Sequence, residues 1–270
     1  MHLSLNLKKQ NDATEINLIN SNSQIGIMSN LRKIMAIFLI AAFLVTIPFT
    51  FINTEADVVK VEFTIQYDES YGKPTNGPPG LAKPPKDNGD VYKIWFNRYT
   101  VSYVPMDMTV YTDNPDDLPA QFVAAAVTSA ANAWETATSD NIVDTVTSQS
   151  GTASIEYNHV NAAFFGDYSD SNVIAVTAVW YDRRSKQLLE CDIMFNTDWT
   201  WGDATVNPSV MDLQNIATHE LGHCFNLADI YDSSQSDLTM YGYSYPGDCE
   251  KRTLEAGDIA GIQSLFGATT

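Results

Sequence analysis

Hydrophobic and polar positions alternate along residues 58–67, VVKVEFTIQY, and this period of two predicts a short β-strand. The following stretch, 72–90, is rich in Pro, Gly and Lys, so residues 57–90 are interpreted as a short strand and a Pro/Gly-rich linker or extended surface loop. The compact domain is predicted to begin near Val91. Aromatic and β-branched residues predict its strands at 91–101, 108–112, 154–158, 172–181 and 188–196.

Three other segments carry helical patterns. The first, 118–138, is Ala-rich and places five apolar residues on one face: Phe122, Ala126, Ala130, Ala133 and Trp134. The second spans 211–225. The third spans 254–266, with acidic residues in its first turn and a glycine directly after its end. No internal repeat interrupts this order of elements.

The N-terminal part of the chain has a different pattern. Residues 1–30 are polar and Asn-rich, and we interpret them as a disordered tail or as an artefactual extension before a start at Met28. Residues 31–56 combine positive charges, an apolar run and small residues, which is typical of a secretory signal. An uncleaved membrane anchor through residues 34–52 is the alternative, because this segment nearly reaches the length of about 20 residues that a membrane-spanning helix needs. A buried core helix is disfavoured by the polar flank. We therefore expect a secreted or extracellular protein, anchored to the membrane only in that alternative.

Composition narrows the function classes. The 270 residues carry a net charge of −18, which argues against nucleic acid as a partner because phosphate contacts need clustered Lys and Arg. An acidic surface suits solubility, a salty medium or bound Ca2+, and the stretch 167–172 is either a calcium site or a plain polar turn. Three cysteines, Cys191, Cys224 and Cys249, allow at most one disulfide, and the sequence does not rank the pairings.

The stretch HELGHCFNLAD, residues 219–229, carries the candidate chemistry. His219 and His223 are four residues apart, so on a helix both rings lie on one face and can bind one ion. Zinc is the usual ion for such a pair. Glu220 lies beside it, where a carboxylate accepts a proton from metal-bound water. Two solvated surface histidines are the alternative interpretation.

Zinc in a catalytic site takes three protein ligands and keeps a fourth position for water. The helix must therefore end, and the chain must turn back towards the ion. Asn226 tolerates the positive φ that such a turn requires. Asp229 follows three residues later and is the predicted third ligand. A capping or salt-bridge role is its alternative, and Asp232 is a competing carboxylate.

The same stretch resembles the HExxHxxGxxH signature of the metzincin zinc metalloproteases, here in the variant HExxHxxNxxD. Within LTMYGYSYP, residues 238–246, Met240 resembles the methionine that metzincins place in a turn under the metal; an ordinary core methionine is its alternative. The Met-Tyr pair and the stretch LEAGDIAGIQSLFG, 254–267, resemble the matrixins among them. The resemblance covers roughly residues 91–267.

The resemblance implies an α+β fold and a function. A metzincin-like catalytic domain over residues 91–270 is expected to have a twisted, mostly parallel β-sheet with an antiparallel edge strand. An active-site helix, a Met-turn and a C-terminal helix complete it. The implied function is a secreted or cell-surface zinc endopeptidase with Glu220 as general base. Its protein or peptide substrate would lie extended along the edge strand near residues 173–181.

Several features depart from the matrixin pattern or leave alternatives open. Val176 stands where matrixins often have a histidine for a second zinc, so we expect one Zn2+. No cysteine-containing pro-segment precedes the domain. Three tyrosines after the Met-turn either wall the substrate pocket or form an aromatic surface loop: Tyr241, Tyr243 and Tyr245. A catalytically silent surface-binding module is one alternative function. A gluzincin-type peptidase using Glu250 or Glu255, or a metal-dependent amidase, is another. The oligomeric state is left open.

Overall fold

A computed structural model describes residues 57–69 and 92–268 of the chain. The predicted tail, the signal or anchor segment and most of the predicted linker lie outside these ranges. Within them, no helix is long and apolar enough to cross a membrane. The described residues belong to one compact unit.

One large twisted sheet forms the centre of this unit. Its strands are β1 (Val58–Tyr67), β2 (Thr100–Val101), β3 (Met106–Tyr111), β4 (Val143–Gln149), β5 (Asn161–Gly166), β6 (Val173–Asp182), β7 (Gln187–Asn196) and β10 (Tyr243–Ser244). They pair in the order β10-β1-β6-β7-β5-β3-β4, and β2 also pairs with β7. Two short strands, β8 (Trp201–Gly202) and β9 (Met211–Asp212), form a separate parallel pair.

The strand directions confirm the predicted sheet. β6 runs antiparallel to both of its neighbours, β1 and β7. The remaining pairs of the large sheet are parallel. β6 is buried at nearly every position, as expected for a strand covered on both faces. The structure therefore has the α+β arrangement of a mixed, mostly parallel sheet with helices packed against it.

Three helices accompany the sheet: α1 (Ala120–Glu135), α2 (Leu213–Cys224) and α3 (Ala256–Phe266). α1 buries small residues and Trp134, whose indole Nε1 donates to the carbonyl of Thr218 in α2 at 2.7 Å. Because Ala-rich faces let helices approach closely, α1 supports the back of α2. α3 ends at Gly267, which has a φ of 84° and stops the helix as predicted.

The structure corrects part of the strand prediction. Residues 154–158 form no strand, since the backbone N–H of Glu156 donates to Asp192 and that of Asn158 donates to Glu190. Side-chain carboxylates of β7 thus replace the ladder that the sequence pattern suggested. The strands β4 and β5 were not predicted. Of the segment 91–101, only its last two residues form a strand.

Candidate active site

The helix α2 presents the two motif histidines towards the sheet. Asp212 begins the helix as its N-cap and accepts a hydrogen bond from the N–H of Asn215 at 2.9 Å. His219 and His223 are fully buried, which excludes the interpretation of two solvated surface histidines. Their ring centroids lie 4.9 Å apart.

Both imidazoles are oriented by backbone carbonyls. Nδ1 of His219 lies 2.7 Å from the carbonyl oxygen of Thr239, and Nδ1 of His223 lies 2.8 Å from that of Leu227. A carbonyl only accepts, so each Nδ1 carries the proton and each Nε2 keeps its lone pair. This is the tautomer that binds a metal ion through Nε2.

A tight turn follows α2 and brings Asp229 back to the histidines. Asn226 adopts a φ of 76°, the left-handed conformation predicted from its residue type. Its side chain also bonds to the backbone of Phe96, accepting from N–H at 3.1 Å and donating to the carbonyl at 3.0 Å. The N–H of Ala228 donates to the carbonyl of Lys93 at 2.9 Å. The segment that precedes β2 therefore holds this turn in place.

The geometry of the three side chains fits zinc. Oδ1 of Asp229 lies 3.3 Å from Nε2 of His219 and 3.4 Å from Nε2 of His223. Two ligands of a tetrahedral zinc, bonded at about 2.0 to 2.1 Å, are separated by about 3.4 Å. All three atoms are buried and have no hydrogen-bond partner within the described residues. Such a set of converging orphan atoms is best explained by a bound cation.

The electrostatics of the site agree with this interpretation. Burial opposes the ionisation of Asp229, but the two histidines outweigh it and lower the pKa of the carboxyl group. Burial likewise lowers the pKa of His223, while the carboxylate of Asp229 raises it and prevails. The buried carboxylate of Asp229 therefore favours a positive charge in this space, which a metal ion held by these three residues would supply.

Glu220 points into the same space. Its Oε1 is buried without a hydrogen-bond partner among the described residues, and its Oε2 accepts from the hydroxyl of Thr177 on β6. Burial raises the pKa of Glu220. Thr177 was not predicted from the sequence, because no local motif distinguishes it. Only the packing of β6 against α2 places it beside Glu220. It fixes one oxygen of the carboxylate and leaves the other available.

Met240 lies beneath α2, in the turn that the resemblance implied. It is fully buried, and a Cβ built on Gly222 would lie 2.2 Å from its sulfur. Asp258 of α3 holds this turn by accepting from the N–H groups of Thr239 at 2.9 Å and Met240 at 3.1 Å. Since Thr239 also holds His219, α3 acts on the metal site through one short chain of hydrogen bonds.

The predicted pocket tyrosines lie on the segment next to β1. The ring centroids of Tyr241 and Tyr243 are 5.6 Å apart, and Tyr243 also lies 5.6 Å from Tyr231. Tyr245 is half-buried. Burial raises the pKa of Tyr231, which was not singled out in the sequence, and the nearby carboxylate of Asp229 raises it further.

Other carboxylates considered as ligands lie elsewhere in the described structure. Asp232 caps the short helix that follows it, accepting from the N–H of Ser234 at 2.9 Å. Glu255 caps α3, and Glu250 is exposed in a short turn. Within the described ranges, His219, His223 and Asp229 are the one group of three such residues able to share an ion, with ligand atoms within 4.8 Å of one another.

A disulfide ties the site to the sheet. Cys224, the last residue of α2, is bonded to Cys191 of β7, and both are fully buried. Cys249 is a free thiol. The sequence left the three pairings open, because only the packing of α2 against β7 brings these two residues together.

The strand β1 covers the site from the other side. The ring of Phe63 stacks on that of His223, with centroids 4.5 Å apart and planes 16° from parallel. Ile65, two residues later on the same face, is fully buried. Neither residue was predicted to lie at the site, because β1 was assigned to a segment that precedes the domain.

Comparisons with known proteins agree with this geometry. The sequence model of the matrixin family matches residues 95–267. Metalloendoproteinase 1 from Glycine max is 38% identical over 79 residues, which are 27% of this chain and 24% of that protein. The hatching enzyme from Paracentrotus lividus is 37% identical over 79 residues, 29% of this chain and 12% of that protein. The matched stretch therefore spans a quarter or less of each of these relatives.

Proposed function

The chain belongs to the matrixin family, and from this premise we propose that it is a zinc-dependent endopeptidase. The observation that carries the proposal is the convergence of His219, His223 and Asp229 on one point, with Glu220 beside them. Both relatives, a metalloendoproteinase and a hatching enzyme, agree with a peptide-bond hydrolase.

His219, His223 and Asp229 would hold one zinc ion. When bound, zinc supplies Lewis-acid chemistry that polarises a peptide carbonyl and makes water more acidic. Glu220 is the general base in this proposal. Its Oε1 has no partner among the described residues and is free to take a proton, while Thr177 holds Oε2. Glu220 then returns the proton to the amine that leaves.

The substrate is proposed to be a protein or peptide bound in extended form. Thr177 of β6 donates to the carboxylate of Glu220, so a peptide that took the place of β1 along β6 would pass the site. Tyr241 and Tyr243 lie on the opposite side of that path and are proposed to contact substrate side chains. Action outside the cell is proposed from residues 31–56 and from the buried disulfide, which persists in oxidising compartments.

The test measures zinc content and peptide cleavage on protein spanning residues 55–270. We expect one zinc per chain. Asp229→Ala should lose it, whereas Asp232→Ala, a matched change of a carboxylate three residues away that caps a short helix, should retain it. Glu220→Ala should retain zinc and lose cleavage by several orders of magnitude, as expected for loss of a general base.

Two results would overturn the proposal. Retention of full zinc by Asp229→Ala would place the third ligand elsewhere. Because β1 covers the site, cleavage is also measured on protein in which Phe63 and Ile65 are both replaced by Ala. If neither form, with zinc bound, cleaves any member of a random peptide library, the chain is a metal-binding surface module and not a peptidase.

A further inference from the structure

We propose that β1 is an intramolecular ligand of the peptide-binding edge of β6, and that the chain closes its own active site with this strand. The inference rests on the proposed function, since it assigns an occupant to the same site. It would supply a means of latency that needs no cysteine, and residues 1–90 contain none.

The pairing of β1 is that of an added peptide. It runs antiparallel to β6 from the pair Val58–Asp182 to the pair Ile65–Ala175, and then parallel to β10 at Gln66 and Tyr67. The N–H of Gln66 donates to the carbonyl of Gly242 at 3.1 Å, and that of Tyr67 donates to the carbonyl of Asn172 at 2.9 Å. An extended chain held between two strand edges by its backbone is the geometry of β-augmentation, in which side-chain pockets add specificity.

The side chains of β1 alternate as a bound peptide would. Lys60 and Glu62 are exposed and pair with each other at 2.7 Å. Phe63 and Ile65 face inwards, and Ile65 is fully buried. The inward face therefore fills the cleft, while the outward face meets solvent.

The inward face lies over the reacting groups. Phe63 is paired with Thr177, the residue whose hydroxyl binds Glu220. The ring of Phe63 stacks on His223 and lies 4.8 Å from the ring of Trp95. The backbone from Phe63 to Ile65 thus occupies the position that a substrate must reach.

With β1 in place, the groups of the proposed active site are inaccessible to solvent. His219, Glu220 and His223 are all 0% exposed. A peptide from solution cannot contact groups that the protein itself seals, so β1 must leave before a substrate enters along β6.

A separate observation indicates that β1 is an addition to the catalytic domain. The matrixin match begins at residue 95 and ends at 267, so it contains β6, α2 and β10 but not β1. The strand that fills the cleft therefore lies upstream of the matched family domain, and the family domain contains the edges against which it pairs.

The first experiment weakens β1 without adding a metal ligand. Phe63→Ala/Ile65→Ala is compared with Lys60→Ala/Glu62→Ala, a matched pair on the exposed face of the same strand. Both are made in full-length, zinc-loaded protein and assayed with a fluorogenic peptide. We expect the inward pair, Phe63→Ala/Ile65→Ala, to raise cleavage at least tenfold. Each 1.4 kcal/mol lost from the docking of β1 raises the fraction of molecules with β1 undocked about tenfold. The outward pair should change it less than twofold.

The second experiment does not depend on cleavage. A fluorescent peptide of sequence VVKVEFTIQY is titrated into Glu220→Ala protein with and without the inward pair, and anisotropy reports binding. We expect at least tenfold tighter binding when the inward pair is present, because the edge of β6 is then vacant. A peptide with the same residues in scrambled order should not bind.

Each outcome decides the proposal. Equal peptide binding by both Glu220→Ala forms overturns it, whatever the cleavage assay shows. If the inward pair prevents folding, a recognition sequence for a site-specific protease is inserted between Gly80 and Leu81 and cut after folding. Release of β1 with a gain in peptide binding supports the proposal, and a cut protein that gains no binding overturns it. Loss of zinc binding or of all cleavage, with peptide binding as expected, contradicts only the peptidase function.

Discussion

Gly222 lies between the two histidines that are proposed to bind zinc, and it offers a sharp test of the packing under the site. A Cβ at this position would lie 2.2 Å from the sulfur of Met240 and 2.9 Å from a ring carbon of Trp134. Both neighbours are fully buried, so neither can swing aside into solvent. Gly222→Ala should therefore push Met240 and its turn away from α2.

Two opposing contributions decide whether Gly222→Ala raises or lowers the free energy of unfolding. In an unobstructed helix, replacing Gly by Ala stabilises by about 1 kcal/mol. Overpacking a rigid core costs about 1 to 3 kcal/mol, and a contact this short belongs at the upper end. We expect Gly222→Ala to lower the free energy of unfolding by about 1 to 2 kcal/mol. Zinc affinity should fall about tenfold, since Thr239 in the displaced turn holds His219.

Urea unfolding of the zinc-free protein and competition with a chelator measure the two effects. The matched background is Met240→Ala, which is itself destabilising but removes the sulfur that Gly222→Ala meets. In that background only the contact with Trp134 at 2.9 Å remains, so Gly222→Ala should be less destabilising than in the wild type, with a coupling of about 2 kcal/mol between the two positions. The reasoning is refuted if Gly222→Ala alone raises stability by about 1 kcal/mol and leaves zinc affinity unchanged.

Three further outcomes follow from other parts of the structure. The Cys191–Cys224 disulfide closes a sequence separation of 33 residues, so Cys191→Ala/Cys224→Ala should lose about 4 kcal/mol in urea unfolding, and Cys249→Ala should lose little. Burial raises the pKa of Asp192 to about 7, so the folded state binds more protons than the unfolded state between about pH 4 and 7, and its stability falls as the pH rises through this window. The stability advantage of wild type over Asp192→Asn should therefore shrink between pH 4.5 and 7.5 in thermal melts; an advantage that grows would contradict the assignment. Asn226→Gly keeps the turn but loses two hydrogen bonds, at a cost of about 1 to 2 kcal/mol, and Asn226→Ala should cost about 1 kcal/mol more because of its φ of 76°.

The parts of the site that follow from local rules could be predicted from the sequence. The four-residue spacing of His219 and His223 fixes their common helix face. The residue type of Asn226 predicts its positive φ, and the three-residue step to Asp229 predicts a ligand after the turn. The structure brings these groups together because each relation spans only a few residues, where helix and turn geometry leave little freedom.

The parts that depend on distant pairing could not be predicted. β1 is an ordinary alternating strand, and its sequence does not reveal that β6 will be its partner. The disulfide is equally non-local, since Cys191 and Cys224 meet only when α2 packs on β7. Residues 154–158 show the opposite case, a predicted strand that does not form. They have the sequence pattern of a strand, but carboxylates of β7 accept hydrogen bonds from the backbone N–H groups that a neighbouring strand would need.

With Asp229 in place of the third histidine of the metzincin signature, the proposed zinc site carries one more negative charge. A carboxylate ligand lowers the net charge at the ion and so makes its bound water less acidic. Burial meanwhile raises the pKa of Glu220, which makes it a stronger base. In the proposed mechanism Glu220 would therefore be a stronger base than an exposed glutamate, which suits the less acidic water that an aspartate ligand would give.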